Sequence, residues 1–193
     1  MSTVVPNQVS NEVKTVLHVG CGQPNPNNLH PHFRNDGWKE VRLDIDPSVQ
    51  PDIVGDITNM SLVQDASVDA IWSSHNIEHL WAHEVPLAFR EFFRVLKPDG
   101  FVYVATPNLQ AVAKHIAEGN LEEPLYVSPS GPVSAIDILY GFRPSLRDGH
   151  HYMAHKTGFT GHTLGRRMQE VGFKDVKVQV DGLNLWGLGY KRI

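Results

Sequence analysis

Two runs of this chain hold five of its 11 histidines, the groups able to take or give a proton near neutral pH. Gly149-His150-His151-Tyr152-Met153-Ala154-His155-Lys156 gathers imidazoles, a phenol and an amine in one stretch. His75-Asn76-Ile77-Glu78-His79 sets two imidazoles around a carboxylate. Imidazole titrates close to neutrality. Such a group can take a hydroxyl proton as the oxygen attacks an electrophile. The second run also reads as H-x-x-E-H, the inverted zincin pattern, whose two histidines share one face if the segment is helical. Its surroundings argue against a metallohydrolase, because it follows a buried strand at the edge of a nucleotide crevice. No metal is assigned. Glu78 and His79 are expected to start a helix and shape a pocket floor.

The nucleotide signal lies upstream. Val19-Gly20-Cys21-Gly22 closes the apolar run Thr15–Val19. Glycines there let the backbone approach a ligand and present N–H donors. Asp44 ends the next β-rich run, 22 positions after Gly22 (44 − 22). That is close to the roughly 20-residue offset at which a carboxylate accepts ribose hydroxyls. Gly55-Asp56-Ile57 places another acid where a third strand would end. It suits either an adenine amino group or a helix N-cap. Taken together, these signals point to a nucleoside ligand.

The elements that must position these groups follow from periodicity. Strands are expected over Thr15–Val19, Val41–Ile45, Asp52–Val54, Val68–Ser73, Phe101–Ala105, Val176–Val180 and Leu185–Tyr190. Helical spacing runs from Val85 to Leu96 and stops at the turn Lys97-Pro98-Asp99-Gly100. Thr160 caps a second helix, which runs to Val171 and ends at Gly172. Pro24, Pro26 and Pro31 make the first helix degenerate. Strands alternating with helices imply a mostly parallel seven-stranded α/β sheet with helices on both faces. Asp181-Gly182 closes a C-terminal antiparallel hairpin. Ligands bind such sheets beyond the carboxyl ends of the strands. Residues 1–13 read as a loose arm, and the chain as one domain over 1–193. Residues 109–159 form an insertion, helical over Leu109–Glu118 and otherwise without a period. A stretch of that length is usually functional.

Composition excludes several classes. The 17 basic and 21 acidic residues give a formal charge of −4, and no long basic block occurs. A duplex-binding surface is therefore not expected. The lone Cys21 allows no intramolecular disulfide and fits a reducing compartment, so the cytoplasm is expected. No apolar run is long enough to cross a bilayer and the N-terminus has no signal-peptide pattern, so no membrane association is expected.

The strings LHVGCG, LDIDP, DIVGDIT, DASVDAIWSSHNIEHL and FREFFRVLKPDGFVYVATPN resemble the class I S-adenosylmethionine-dependent methyltransferases over residues 15–108. A weaker likeness, HKTGFT…LGRRMQEVGF, covers 155–173. The resemblance implies a Rossmann-like sheet and S-adenosylmethionine as methyl donor. Gly20, Cys21 and Gly22 would line its methionine end. Asp44, with Ile45 beside it, would hold the ribose, and Asp56 and Ile57 would flank the adenine. Ser74 and His75 would lie near the sulfonium. The insertion would form a substrate lid. His155 matches a recurring histidine and becomes the first candidate base, followed by His151 and His75. Two positions depart from the pattern. His18 replaces the usual acid before the glycines, and Pro24 replaces a third glycine. The expected activity is O-methylation of a small polar acceptor, such as a sugar or glycan precursor, by a monomer or homodimer. No [DN]-P-P-[YF] motif follows the fourth strand, which argues against DNA-base methylation. The other readings are a catalytically idle nucleoside-binding protein and a nicotinamide oxidoreductase.

Overall fold

The computed structural model describes residues 12–192. The arm expected over 1–13 falls, except for its last two residues, outside that range. The strands are β1 (Lys14–Val19), β2 (Trp38–Asp44), β3 (Ile53–Val54), β4 (Val68–Ser74), β5 (Leu96–Pro107), β6 (Pro124–Ser128), β7 (Gly131–Ser134), β8 (Lys174–Asp181) and β9 (Asn184–Tyr190). The helices are α1 (Val85–Val95), α2 (Leu109–Ala117), α3 (Ala135–Tyr140), α4 (Arg143–Arg147) and α5 (Gly161–Val171). Seven strands form one sheet in the order β3-β2-β1-β4-β5-β9-β8, and β6-β7 form a separate hairpin. β1 to β5 are parallel, whereas β9 runs antiparallel to both β5 and β8. The chain direction across the sheet reverses between β1 and β4, so the switch point opens at their carboxyl ends.

β1 and β4 are central strands buried on both faces, which is why they read as unbroken apolar runs. Leu17, Val19, Ile71, Val102 and Val104 point to one face, beneath α1 and α5. α1 buries Val85, Ala88, Phe89, Phe92 and Val95, the helical spacing anticipated from sequence. Thr160 caps α5 by accepting from the Thr163 N–H, and Gly172 ends it in the left-handed region. Val16, Ala70, Trp72 and Ala105 point to the opposite face. There the first helix is replaced by a single 3-10 turn, Pro31–Phe33. The proline-rich loop covers this face with Leu29 and Phe33. Trp72 Nε1–H donates to the Asn28 carbonyl at 2.9 Å.

Four local expectations change. β5 begins at Leu96, because Leu96 pairs with Val68 and the expected turn residues join the strand. Asp99 N–H donates to Lys191 O, and Lys191 N–H donates to Gly100 O, holding that start in place. β2 stops at Asp44, leaving Ile45 exposed. The helix expected at Glu78-His79 is only a 3-10 turn, Ile77–His79. His75 sits before that turn at φ +47, so His75 and His79 do not share a helix face. The stretch after α2, which has no period, is folded into β6, β7, α3 and α4. Its own apolar cluster holds Val112, Val133, Ala135 and Ile138. Among the described residues no helix is long and apolar enough to cross a membrane.

Candidate active site

The glycine turn leaves β1 directly over the crevice. Gly20 and Gly22 both have positive φ. A Cβ on Gly20 would meet Asn76 Cγ at 2.6 Å, so only glycine lets β4's terminus pack against this turn. Asp44 braces the turn from β2. Its Oδ2 accepts the Gly22 N–H at 2.8 Å and its Oδ1 accepts the Asp46 N–H at 3.0 Å. Each oxygen keeps a second lone pair for a ligand hydroxyl. The Arg42 guanidinium donates to the carbonyls of Gly22 and Gln50 and fixes the same corner. Cys21 is buried, and its thiol is pushed up to about 11 chiefly by that burial, so it is no nucleophile near neutrality.

Asp56 and Ile57 follow β3, next to the Asp44 corner, where Gly55 N–H donates to Asp44 O. Asp56 Oδ1 accepts from Thr58 N–H and Oγ1–H in a turn that no helix follows, so Asp56 is not a helix N-cap, and the residue is exposed. Ile57 is buried. His18 is buried with Nδ1 at 2.6 Å from Glu40 Oε1. Burial lowers its pKa more than Glu40 raises it.

The end of β4 brings the histidines together. Glu78 is 1% exposed, and Thr106 Oγ1–H donates to its Oε2 at 3.0 Å. Its Oε1 lies 3.3 Å from His75 Nδ1, a charge contact without hydrogen-bond alignment. Burial alone would raise the Glu78 pKa. The imidazoles of His75, His79 and His155 outweigh it and hold the carboxyl well below its ordinary range. In return Glu78 raises His75 against the lowering effect of burial. His155 arrives from the insertion, where Gly141 at φ +101 lets the Met153 carbonyl pass against it. His155 N–H donates to Tyr140 O, and its Nδ1–H donates to Ile138 O at 2.7 Å. A carbonyl can only accept, so Nε2 is left with the lone pair. Burial is the main cause of the lowered His155 pKa. One ligand atom each from Glu78, His79 and His155 lies within 4.8 Å of the others. That donor set resembles two-histidine, one-carboxylate zinc sites. Sequence spacing could not reveal it, because His155 comes from a distant loop.

Two cavities flank the end of β4, one lined by Ser74 and the other by His75. One of about 400 Å³ is lined by His18, the Gly20–Gly22 turn, Trp72 and Ser74. The other, about 670 Å³, is lined by His75, His79 and His155 together with the insertion. Buried Ser73 Oγ, Asn76 Nδ2 and Glu78 Oε1 have no protein hydrogen-bond partner among the described residues. Unpartnered buried polar atoms are costly. All three follow one another at this junction, as expected for a polar ligand site. The glycine cradle, the Asp44 lone pairs and these atoms fit a nucleoside carrying an amino-acid arm. The structure thus gathers Gly20, Cys21, Gly22, Asp44, Ser74, His75 and His155 around the crevice. His151 is exposed and does not line the larger cavity. Asn76, Thr106, Tyr126 and Phe142 were given no role from sequence. Asn76 stood in the quoted motif, but its contact with Gly20 is tertiary.

Residues 17–104 match the family described as Methyltransferase domain. No curated protein matches the chain. Solved structures match its fold. A Methanosarcina mazei S-adenosylmethionine-dependent methyltransferase shares 16% identity at TM-score 0.62, covering 98% of this chain and 99% of that one. A Burkholderia thailandensis 1,6-didemethyltoxoflavin-N1-methyltransferase, solved with bound 1,6-didemethyltoxoflavin and S-adenosylhomocysteine, shares 14% at TM-score 0.55, covering 95% and 73%. A possible exported protein from Bordetella parapertussis shares 18% at TM-score 0.59. The match covers 94% of this chain but only 63% of that protein. Sheet order, glycine turn and family match define a Rossmann-like methyltransferase. Residues 17–104 thus carry a methyltransferase domain, on the fold shared with the solved S-adenosylmethionine-dependent methyltransferases it resembles.

Proposed function

We propose that this chain transfers a methyl group from S-adenosylmethionine to a hydroxyl oxygen of a small polar acceptor held in the larger cavity. The observation that carries this reading is the junction at Ser74-His75. There adjacent residues line the cofactor crevice and a second cavity whose reactive end holds His155 with a free Nε2. Gly20, Cys21, Gly22 and Ser74 cradle the amino-acid end, Asp44 takes the ribose, and Asp56 and Ile57 border the adenine. The cofactor supplies an electrophilic methyl on a sulfonium. When bound, the cofactor would give that methyl to the acceptor oxygen, and the carbon–sulfur electron pair would stay on sulfur. The acceptor proton passes to His155 Nε2, which is neutral at physiological pH. Alignment and exclusion of water supply most of the acceleration.

We assign no metal. The charge of Glu78 is already matched by His75, whose pKa is raised, and Thr106 takes the other oxygen. Dialysis against a chelator should leave turnover unchanged, and loss of turnover restored by zinc would reverse this assignment. The protein acts in the cytoplasm on a small molecule, not on nucleic acid, as a monomer or homodimer. Its charge of −4 and its single buried cysteine support that setting.

Calorimetric titration with S-adenosylmethionine and S-adenosylhomocysteine tests the cofactor reading. Saturable binding that Asp44→Ala abolishes supports it. Folded protein that binds neither ligand sinks it.

A further inference from the structure

The larger cavity is chemically lopsided. Its reactive end carries the three imidazoles, and its walls are mainly apolar. Tyr126, Val133, Ile138, Phe142 and Met153 come from the insertion, and Leu183 comes from the β8–β9 turn. Among the described residues that line it, none is lysine or arginine. Arg143, the nearest guanidinium in sequence to Phe142, is spent on Asp137. Its Nε–H donates to Asp137 Oδ1 at 2.8 Å and its Nη2–H donates to Ser134 Oγ at 3.0 Å. Lys156 sits over the Trp81 ring instead.

Two of the polar wall groups, Asp137 and Ser128, are occupied as well. Asp137 accepts from the Ser134 N–H, the Ser134 hydroxyl and the Arg143 N–H. Ser128 Oγ–H donates to the Gly131 carbonyl. At the reactive end the raised pKa of His75 is matched by buried Glu78, so no uncompensated cation faces the cavity. Phosphate recognition needs Arg, Lys or a cluster of backbone N–H groups, and these walls offer no cation to provide it. A sugar would turn part of its hydroxyl shell against Val133, Ile138, Phe142, Met153 and Leu183, which is costly, whereas an aromatic ring packs on them. A volume of about 670 Å³ suits a single drug-sized molecule.

We infer that the acceptor is a neutral hydroxylated aromatic ring, a phenol in chemical class, and not a phosphorylated sugar or a nucleotide. This rests on the oxygen-transfer reading and narrows its acceptor. The ring lies between Phe142, Ile138 and Met153, and its hydroxyl reaches His155.

The test is binding, independent of turnover. Full-length protein saturated with S-adenosylhomocysteine is titrated with 2-naphthol, 2-naphthyl phosphate and glucose 1-phosphate, followed by ligand-observed NMR. 2-Naphthol should bind at least tenfold tighter than its phosphate ester, and glucose 1-phosphate should not bind. Phe142→Ala should weaken 2-naphthol about tenfold. Ser130→Arg, at the exposed β6–β7 turn, should narrow the gap between 2-naphthol and its phosphate ester without loss of fold. Tighter binding of either phosphate, or no binding of 2-naphthol, overturns the inference. Failure of S-adenosylhomocysteine itself to bind would instead count against the methyltransferase site.

Discussion

At the scale of single residues the site depends on one buried carboxylate and the imidazoles around it. Glu78 is held ionised, His75 is raised, and His155 is lowered and therefore neutral. That ordering gives His155 the state a base needs. His155→Ala should lower kcat about 10²- to 10⁴-fold, while calorimetric affinity for S-adenosylhomocysteine stays unchanged. A base must be deprotonated, so the acid limb of the kcat/KM profile should lie below the ordinary imidazole value of about 6.5. A limb above that value would remove His155 from the role. The individual parts of this site were legible in the sequence: the glycines, Asp44, and both histidine runs. Their combination was not. Glu78 meets His155 only because Gly141 lets the 153–155 segment cross it, and no spacing rule encodes that contact.

Among the elements, those with a strong period were legible. α1 and α5 carry apolar stripes and, for α5, both caps. β1 and β4 are β-branched runs bounded by turn residues. The insertion hid its structure because α3 and α4 are too short to show a period and β6–β7 is a lone hairpin. It stays folded through a small cluster and one ion pair. Asp137 is 4% exposed, and Arg143 and Ser134 hold its carboxyl far below the usual range despite burial. Arg143→Ala should destabilise the protein modestly at neutral pH, because Arg143 is half exposed. A carboxyl depressed by folding stabilises above its unfolded value of about 3.9 and loses that contribution as pH falls towards the folded value. Thermal unfolding of wild type and variant should therefore differ at pH 7 and converge at acid pH. A constant difference across that range would show that Asp137 titrates normally.

Over the whole molecule, the insertion is tied to both halves of the crevice. Lys156 and Thr157 N–H groups donate to the Glu78 carbonyl in the 3-10 turn that follows β4. Tyr152 Oη–H donates to Asp46 Oδ2 at 2.9 Å beyond the end of β2, with His150 Nδ1 at 3.0 Å from the same hydroxyl. The second tie is exposed and weak, whereas the sheet beneath is buried on both faces. Local opening should therefore separate the insertion from the sheet well before global unfolding. Ligands filling both cavities bind only the closed form and raise the cost of opening by mass action. Amide exchange across 120–158 should slow when S-adenosylhomocysteine and an acceptor are bound together, with β1 and β4 unchanged. Tyr152→Phe should speed exchange over 149–155 without altering the sheet, because it removes the hydroxyl that bonds Asp46 and His150. Equal exchange with and without ligands would mean that the insertion is a fixed wall, and that acceptors enter through the open side of the cavity without moving it.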